Sequence, residues 1–325
     1  MIKLKDKHLW LKNLENENII IHSDFDGIIS MAFLQHYAKL KKIVGIYDLN
    51  TFYMKEKKYL KKDVFKDIIG IDLDISYFNI RGLGHHLTCL SNDNCFNINE
   101  YYNVKNNPIK NYYKKYPLNT IILLYSIFNI KPKTDEEIAL LVYADSVFKN
   151  FKEYEYNVTN WLKLLNQYEI LNALNNRYDK IKKIIDTKIA PVTSTYKDNR
   201  VSSTYSQCPL TTKYIINNKT YYQYDKNSKP LLELIYKYTT WNIIDLPETF
   251  PYQRICNNIK IDLSNKKQKD ISNEELLINF NKLSKLLLDN NDMIVSNSMT
   301  YKSSIKITLN NNNNIIFKDN KYCIV

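Results

Sequence analysis

The apolar positions of this chain fall first into short β-branched runs and only afterwards into helical spacing. Ile19-Ile20-Ile21 is a run of the kind that lies in a strand buried on both faces. It stops at the turn His22-Ser23-Asp24-Phe25-Asp26-Gly27, after which Ile28 to Leu40 carries apolar residues at helical intervals. The strand signal covers Asn18 to Ser23 and returns at Ile43 to Tyr47 and at Ile68 to Leu73. Strand, helix, strand at this spacing predicts a βαβ unit, hence a parallel sheet with right-handed crossovers. Leu118 to Phe128 reads as a buried helix, and Thr134-Asp135-Glu136-Glu137 supplies a capped start for a helix over Ile138 to Phe148. Residues 1–150 therefore read as an α/β unit with a doubly wound, mainly parallel sheet.

Beyond it, Trp161, Leu162, Leu165, Ile170, Leu174, Ile181 and Ile185 recur at helical spacing, which predicts two connecting helices within a helical segment 151–189. The pattern then changes to short strands, Tyr214 to Ile216 and Ile305 to Leu309, with helices near Pro230 to Tyr238 and Glu274 to Leu288. That predicts a smaller, separate α+β domain over 190–325. Its asparagine run, Asn310 to Asn314, reads as a turn between two edge strands.

Composition narrows the function classes. A chain of 325 residues is long enough for two domains with ample cores. The net charge is +12, with the excess mostly in the second half, which suits a polyanionic partner such as nucleic acid or a nucleotide. Abundant Asn, Lys, Ile and Tyr are also what an AT-rich genome produces, as in a phage, virus or low-GC bacterium. Five cysteines without a CxxC pair argue against a disulfide framework or zinc ribbon and for a reducing compartment. With no signal-type h-region and no long apolar run, the expectation is a soluble cytoplasmic protein without a membrane partner. All five glycines and all five histidines lie in the first 86 residues, which marks that part as the chemical one.

The turn after the first strand places His22, Asp24 and Asp26 where open α/β sheets bind ligands. Carboxylates with an imidazole suit manganese, magnesium or zinc. The alternative is a helix N-terminus capped by Asp26, which explains neither Asp24 nor His22. Further candidates close later apolar segments: Asp72 after Ile71, His85 and His86 after Gly84, and Asp145 after Tyr143-Ala144. His36 reads as a surface or packed residue. Asp74 is expected on the side opposite Asp72 and reads as a second choice to it.

In order and type, Asp24-x-Asp26-Gly27, lone Asp72, Gly84-His85-His86 and Asp145 resemble the motifs of the DHH phosphoesterase superfamily, over about the first 150 residues. That group includes RecJ-like exonucleases, NrnA-type oligoribonucleases, cyclic dinucleotide phosphodiesterases and family II pyrophosphatases. The resemblance implies a two-metal site, usually manganese with magnesium as the substitute. Asp72 would bridge the ions, while Asp24, Asp26, His85 and Asp145, with His22, complete their shells. It implies a hydrolase acting through metal-activated water on phosphodiester bonds of nucleic acid or short oligonucleotides, with His85, His86 and Asp72 at the reacting centre.

Two departures qualify the resemblance. Gly84 stands where the triplet has an aspartate, so a carboxylate that would orient the histidine pair is missing from that position. The second half lacks glycine and histidine, so substrate recognition falls to other residues: Lys115, Arg200, Arg254, Lys266 and Lys267, with His86. Ser264-Asn265-Lys266-Lys267-Gln268 is similar to a phosphate-gripping motif of the pyrophosphatases. A small substrate, either a cyclic dinucleotide or pyrophosphate, is therefore one alternative. A catalytically silent nucleic-acid-binding protein on the same fold is the other.

Overall fold

The computed structural model describes residues 2, 4–47, 51–61, 67–74, 81–88, 94–102, 104, 107–194, 211–216, 219–224, 228–243, 249–264, 272–289, 294–301, 304–310, 315–318 and 321–324. Five parallel strands form its centre: β1 (Asn18–His22), β2 (Lys42–Tyr47), β4 (Ile68–Ile71), β5 (Arg81–Gly84) and β6 (Cys95–Asn97). A sixth strand, β3 (Thr51–Met54), runs antiparallel beside β2, and the order is β3-β2-β1-β4-β5-β6. The α/β class and the mainly parallel sheet thus match the sequence pattern.

The isoleucine run shows why. Ile19 and Ile21 join the large apolar core on one face, while Ile20 joins a smaller cluster with Val44, Phe52, Met54 and Ile68 on the other. Against the large face lie α1 (Phe25–Tyr37), α2 (Thr120–Phe128) and α3 (Asp135–Tyr143). α1 is buried from Phe25 through Gln35, and its Phe33 ring sits 5.2 Å from Tyr125 of α2. α1 starts three residues earlier than the apolar pattern suggested, because Asp24 caps it by accepting from Gly27 N at 3.0 Å.

α3 begins as its motif predicts, with Thr134 Oγ1 accepting from Glu137 N at 3.1 Å. It does not continue to Phe148. Asp145 (φ 50°) and Ser146 (φ 57°) are both left-handed, and a new helix, α4 (Val147–Glu153), starts after them. The connector holds three helices rather than two: α5 (Glu155–Leu164), α6 (Tyr168–Asn176) and α7 (Tyr178–Ile184), the first break passing through left-handed Asn166.

Among the later strands, β10 (Tyr252–Asp262) pairs antiparallel with β3, so the main sheet continues into β12 (Ser304–Asn310) and β11 (Ile294–Tyr301). β12 lies between β10 and β11 and is therefore not an edge strand as expected; residues 311–314 lie outside the described set. β7 (Thr211–Ile216), β8 (Lys219–Tyr224) and β9 (Thr249–Phe250) form a separate sheet, and β13 (Ile315–Lys318) with β14 (Lys321–Ile324) a hairpin. Helices α8 (Ser228–Thr239) and α9 (Asn273–Asp289) fall where the pattern placed them. After α8, buried Trp241 packs edge-on against Phe33 at 5.4 Å.

Candidate metal centre

β1 and β4 are parallel neighbours in register, Ile21 beside Ile71, and Ile71 in turn lies beside Leu83 of β5. Their carboxyl ends deliver His22, Asp72 and His85 to one edge of the sheet. The chain leaves β1 toward β2 on one side and returns to β4 on the other, so this edge is a topological switch point, where open sheets form crevices.

Each side chain is held by a separate device. His22 Nδ1 lies 2.9 Å from Asp24 Oδ2 and 3.5 Å from Asp72 Oδ2. The turn that brings them together depends on Gly27, since a Cβ there would come within 2.9 Å of the His22 carbonyl carbon. Asp26 is not a cap of its own helix, as the alternative reading had it. Its buried carboxylate reaches the N-terminus of α2, where Oδ2 accepts from Thr120 N at 2.7 Å and Oδ1 from Ile121 N at 3.0 Å. Asp72 follows the last residue of β4 with φ 59°, in the left-handed region. Its Oδ1 accepts from Thr120 Oγ1 at 2.7 Å and lies 3.4 Å from His85 Nδ1.

His85 Nδ1 stands 2.9 Å from Thr120 Oγ1, and its Nε2 is 3.2 Å from Asp145 Oδ2. Asn119 fixes the approach to Asp145 by donating from Nδ2 to the carbonyls of Leu141 and Ala144, at 2.7 and 2.8 Å. The result is two groups of donors. His22, Asp24 and Asp72 form one; Asp26, Asp72 and His85 form the other; the ligand atoms within each lie within 4.8 Å of one another. Asp72 belongs to both.

The electrostatics follow from this crowding. Burial pushes Asp26 well above the usual carboxylate range, and the charges of Asp72 and Asp145 add to it, against the attraction of His85. Burial pulls His22 down, but Asp24 and Asp72 outweigh it and hold the imidazole well above its ordinary value. His85 is raised in the same way by Asp145 and Asp72. Asp72 runs the other way: burial raises it, while hydrogen bonds from His22 and His85 hold it below the usual range. Left to itself, the cluster balances its carboxylates with protons. Hard oxygen donors beside imidazole, with more negative than positive charge, are the donor set that a divalent cation fits.

His86 is half exposed and stacks on His85 with ring centroids 4.2 Å apart. Its Nδ1 is 2.8 Å from Asp74 Oδ2. Asn99, which the sequence reading did not single out, donates to the His85 carbonyl at 2.7 Å and accepts from Tyr116 N at 2.8 Å. Thr120 and Asn119 were missed as well, although Asn-Thr before an apolar run is a helix-start signal. Lys115 lies beside Tyr116 with Nζ 2.9 Å from Tyr112 Oη, and burial lowers it to about 8. His36 is exposed and accepts from Asn242 N at 3.2 Å, away from the centre. Arg200, Lys266 and Lys267 lie outside the described residues; Arg254 is in β10, opposite Phe52, with its side chain outside them.

The fold and site define an α/β protein with a buried carboxylate and histidine cluster at the switch point of its sheet. Comparison with family models, with curated proteins and with solved structures returned no match. Among the described residues no helix is long and apolar enough to cross a membrane.

Proposed function

We propose that this chain is a phosphoesterase of the DHH class, which hydrolyses phosphodiester bonds of nucleic acid or short oligonucleotides and binds two divalent ions, manganese with magnesium as the substitute. The observation that carries the reading is the sharing of Asp72 between two donor groups. A lone capping carboxylate or a single ion site has no need of that arrangement. His22, Asp24 and Asp72 would hold one ion; Asp26, Asp72 and His85, with Asp145 against the far nitrogen of that imidazole, would hold the other. Two such ions, when bound, supply Lewis acidity toward water and toward the oxygens of an attacked phosphate.

The chain's own residues then have separable tasks. Thr120 bridges Asp72 and His85 and so fixes the rotamers of both. The α2 N-terminus holds Asp26 flat against its two N–H donors. His86, half exposed beside the cluster, offers its free ring nitrogen to an anionic substrate. The net charge of +12 favours the approach of a polyanion.

The test is a hydrolysis panel with the full chain in manganese: single-stranded DNA, short RNA, cyclic dinucleotides and pyrophosphate, each repeated with chelator. Chelator-sensitive cleavage of DNA or RNA is the expected result. Cleavage of only the compact substrates would replace the nucleic-acid reading. Silence throughout, with salt-sensitive binding to nucleic acid, would replace the hydrolase by a binding protein.

A further inference from the structure

Gly84 is enclosed by one side chain. A Cβ built on it would run into the carboxyl group of Asp74, whose Cγ and two oxygens are the three nearest atoms. The Gly84 backbone itself is not in the left-handed region, so it is the space above the residue, and not its φ, that calls for glycine. That space is filled by a carboxylate arriving from the end of the neighbouring strand β4.

Asp74 is firmly placed. Its Oδ2 meets His86 Nδ1 at 2.8 Å and accepts from His86 N at 3.2 Å, while Oδ1 accepts from Asn97 Nδ2 at 2.8 Å. The same Asn97 Nδ2 donates to the His86 carbonyl at 2.7 Å, so backbone N–H, carbonyl and ring of His86 are all held from one side. The Asp74 side chain is 6% exposed, against 48% for His86, which places the anchor inside and the imidazole at the mouth. A carboxylate that takes Nδ1–H of a histidine fixes its tautomer and leaves Nε2 as the outward acceptor or donor.

We propose that Asp74 is the positioning residue for His86, and that Gly84 is the opening that admits it: the orienting carboxylate is supplied from position 74 in place of position 84. The sense of "positioning" rests on the hydrolase reading above, in which His86 meets the substrate. The anchoring itself does not.

Two variants of the full chain test it, Asp74→Asn, which keeps the shape, and Asp74→Ala/Gly84→Asp, which moves the carboxylate to the other side of the same space. The first readout needs no activity: the ring-nitrogen NMR signals of His86 at one fixed pH, without metal. The wild type should show Nδ1–H, Asp74→Asn should lose it, and the double variant should recover it. The second readout is manganese-dependent hydrolysis of whichever panel substrate is cleaved, beside manganese affinity by calorimetry. Asp74→Asn should lower kcat roughly 10- to 100-fold, the range for partners that orient active-site ligands, with manganese affinity little changed, and the double variant should regain most of the loss.

Unchanged His86 signals in Asp74→Asn would overturn the proposal, as would a folded double variant that recovers neither readout. Expected NMR signals in a wild type that cleaves nothing would overturn the hydrolase reading and leave the anchoring of His86 by Asp74 standing.

Discussion

The hydroxyl of Thr120 donates to Asp72 Oδ1 at 2.7 Å, and with its lone pair it faces His85 Nδ1 at 2.9 Å. One hydroxyl proton thus orders two donors that belong to the same group. Thr120→Val keeps the shape and removes the relay, leaving a buried carboxylate oxygen and a ring nitrogen short of a partner. The expected cost is about 1 to 3 kcal/mol of stability, and roughly 10- to 100-fold in manganese affinity, read by chemical denaturation and calorimetry. An unchanged affinity would show that the donors hold their places without it.

Shared and unshared ligands should differ in stoichiometry. Asp72→Ala removes a donor from both groups, so calorimetry should lose both tight ions and hydrolysis should fall to background, with circular dichroism unchanged. His22→Ala touches one group only and should leave one tight ion. Full manganese-dependent activity in Asp72→Ala would sink the assignment.

The pH dependence of the metal-free protein has a definite sign. His22 and His85 sit well above 6.5 when folded, so the stability they add is complete below about 6.5, their unfolded value, and is lost as pH rises through their folded values. Asp26, also raised, opposes folding as it ionises, in the same direction. Asp72 is depressed, so its contribution is present above the unfolded carboxylate value and fades only in acid. The melting temperature in chelator should therefore fall as pH rises above about 6.5. The increment gained from saturating manganese should grow over the same interval, because protons and metal compete for the ligands. A chelator curve that climbs instead would contradict the protonation scheme.

Two consecutive left-handed residues, Asp145 and Ser146, break the helical run after Tyr143. Among the described residues the Ser146 side chain makes no hydrogen bond, and a glycine there adopts the conformation without the Cβ conflict. Ser146→Gly should raise stability by about 1 kcal/mol, measured by urea denaturation, with manganese affinity intact. A loss of stability would mean the serine side chain is needed in place.

Much of the candidate centre was legible because its donor residues close apolar runs. His22, Asp24, Asp26, Asp72, His85 and Asp145 all follow or interrupt such segments, and the strand ends and helix turns together gather them at one edge of the sheet. What the sequence hid was direction. Asp74 was expected on the side opposite Asp72, but residues two apart on a strand share a face, and Asp74, three residues past the end of β4, turns its carboxylate to His86. The short strands β3, β5 and β6 were also hidden, since Arg81-Gly82-Leu83-Gly84 has neither β-branched nor alternating character. Partners such as Thr120 and Asn99 carry no charge and stand out only once their neighbours are in place.

The pairing of β3 with β10 has a cost in the order of synthesis. Met54 meets Tyr252, so about two hundred residues must leave the ribosome before the outer edge of β3 is covered. At roughly 5 to 20 residues per second, the ribbon Thr51–Met54, with Phe52, Tyr53 and Met54 all destined for burial, waits about 10 to 40 seconds with its backbone groups open to any strand that passes. A fragment ending before Thr249 would keep that edge open permanently, and its fate would be self-association.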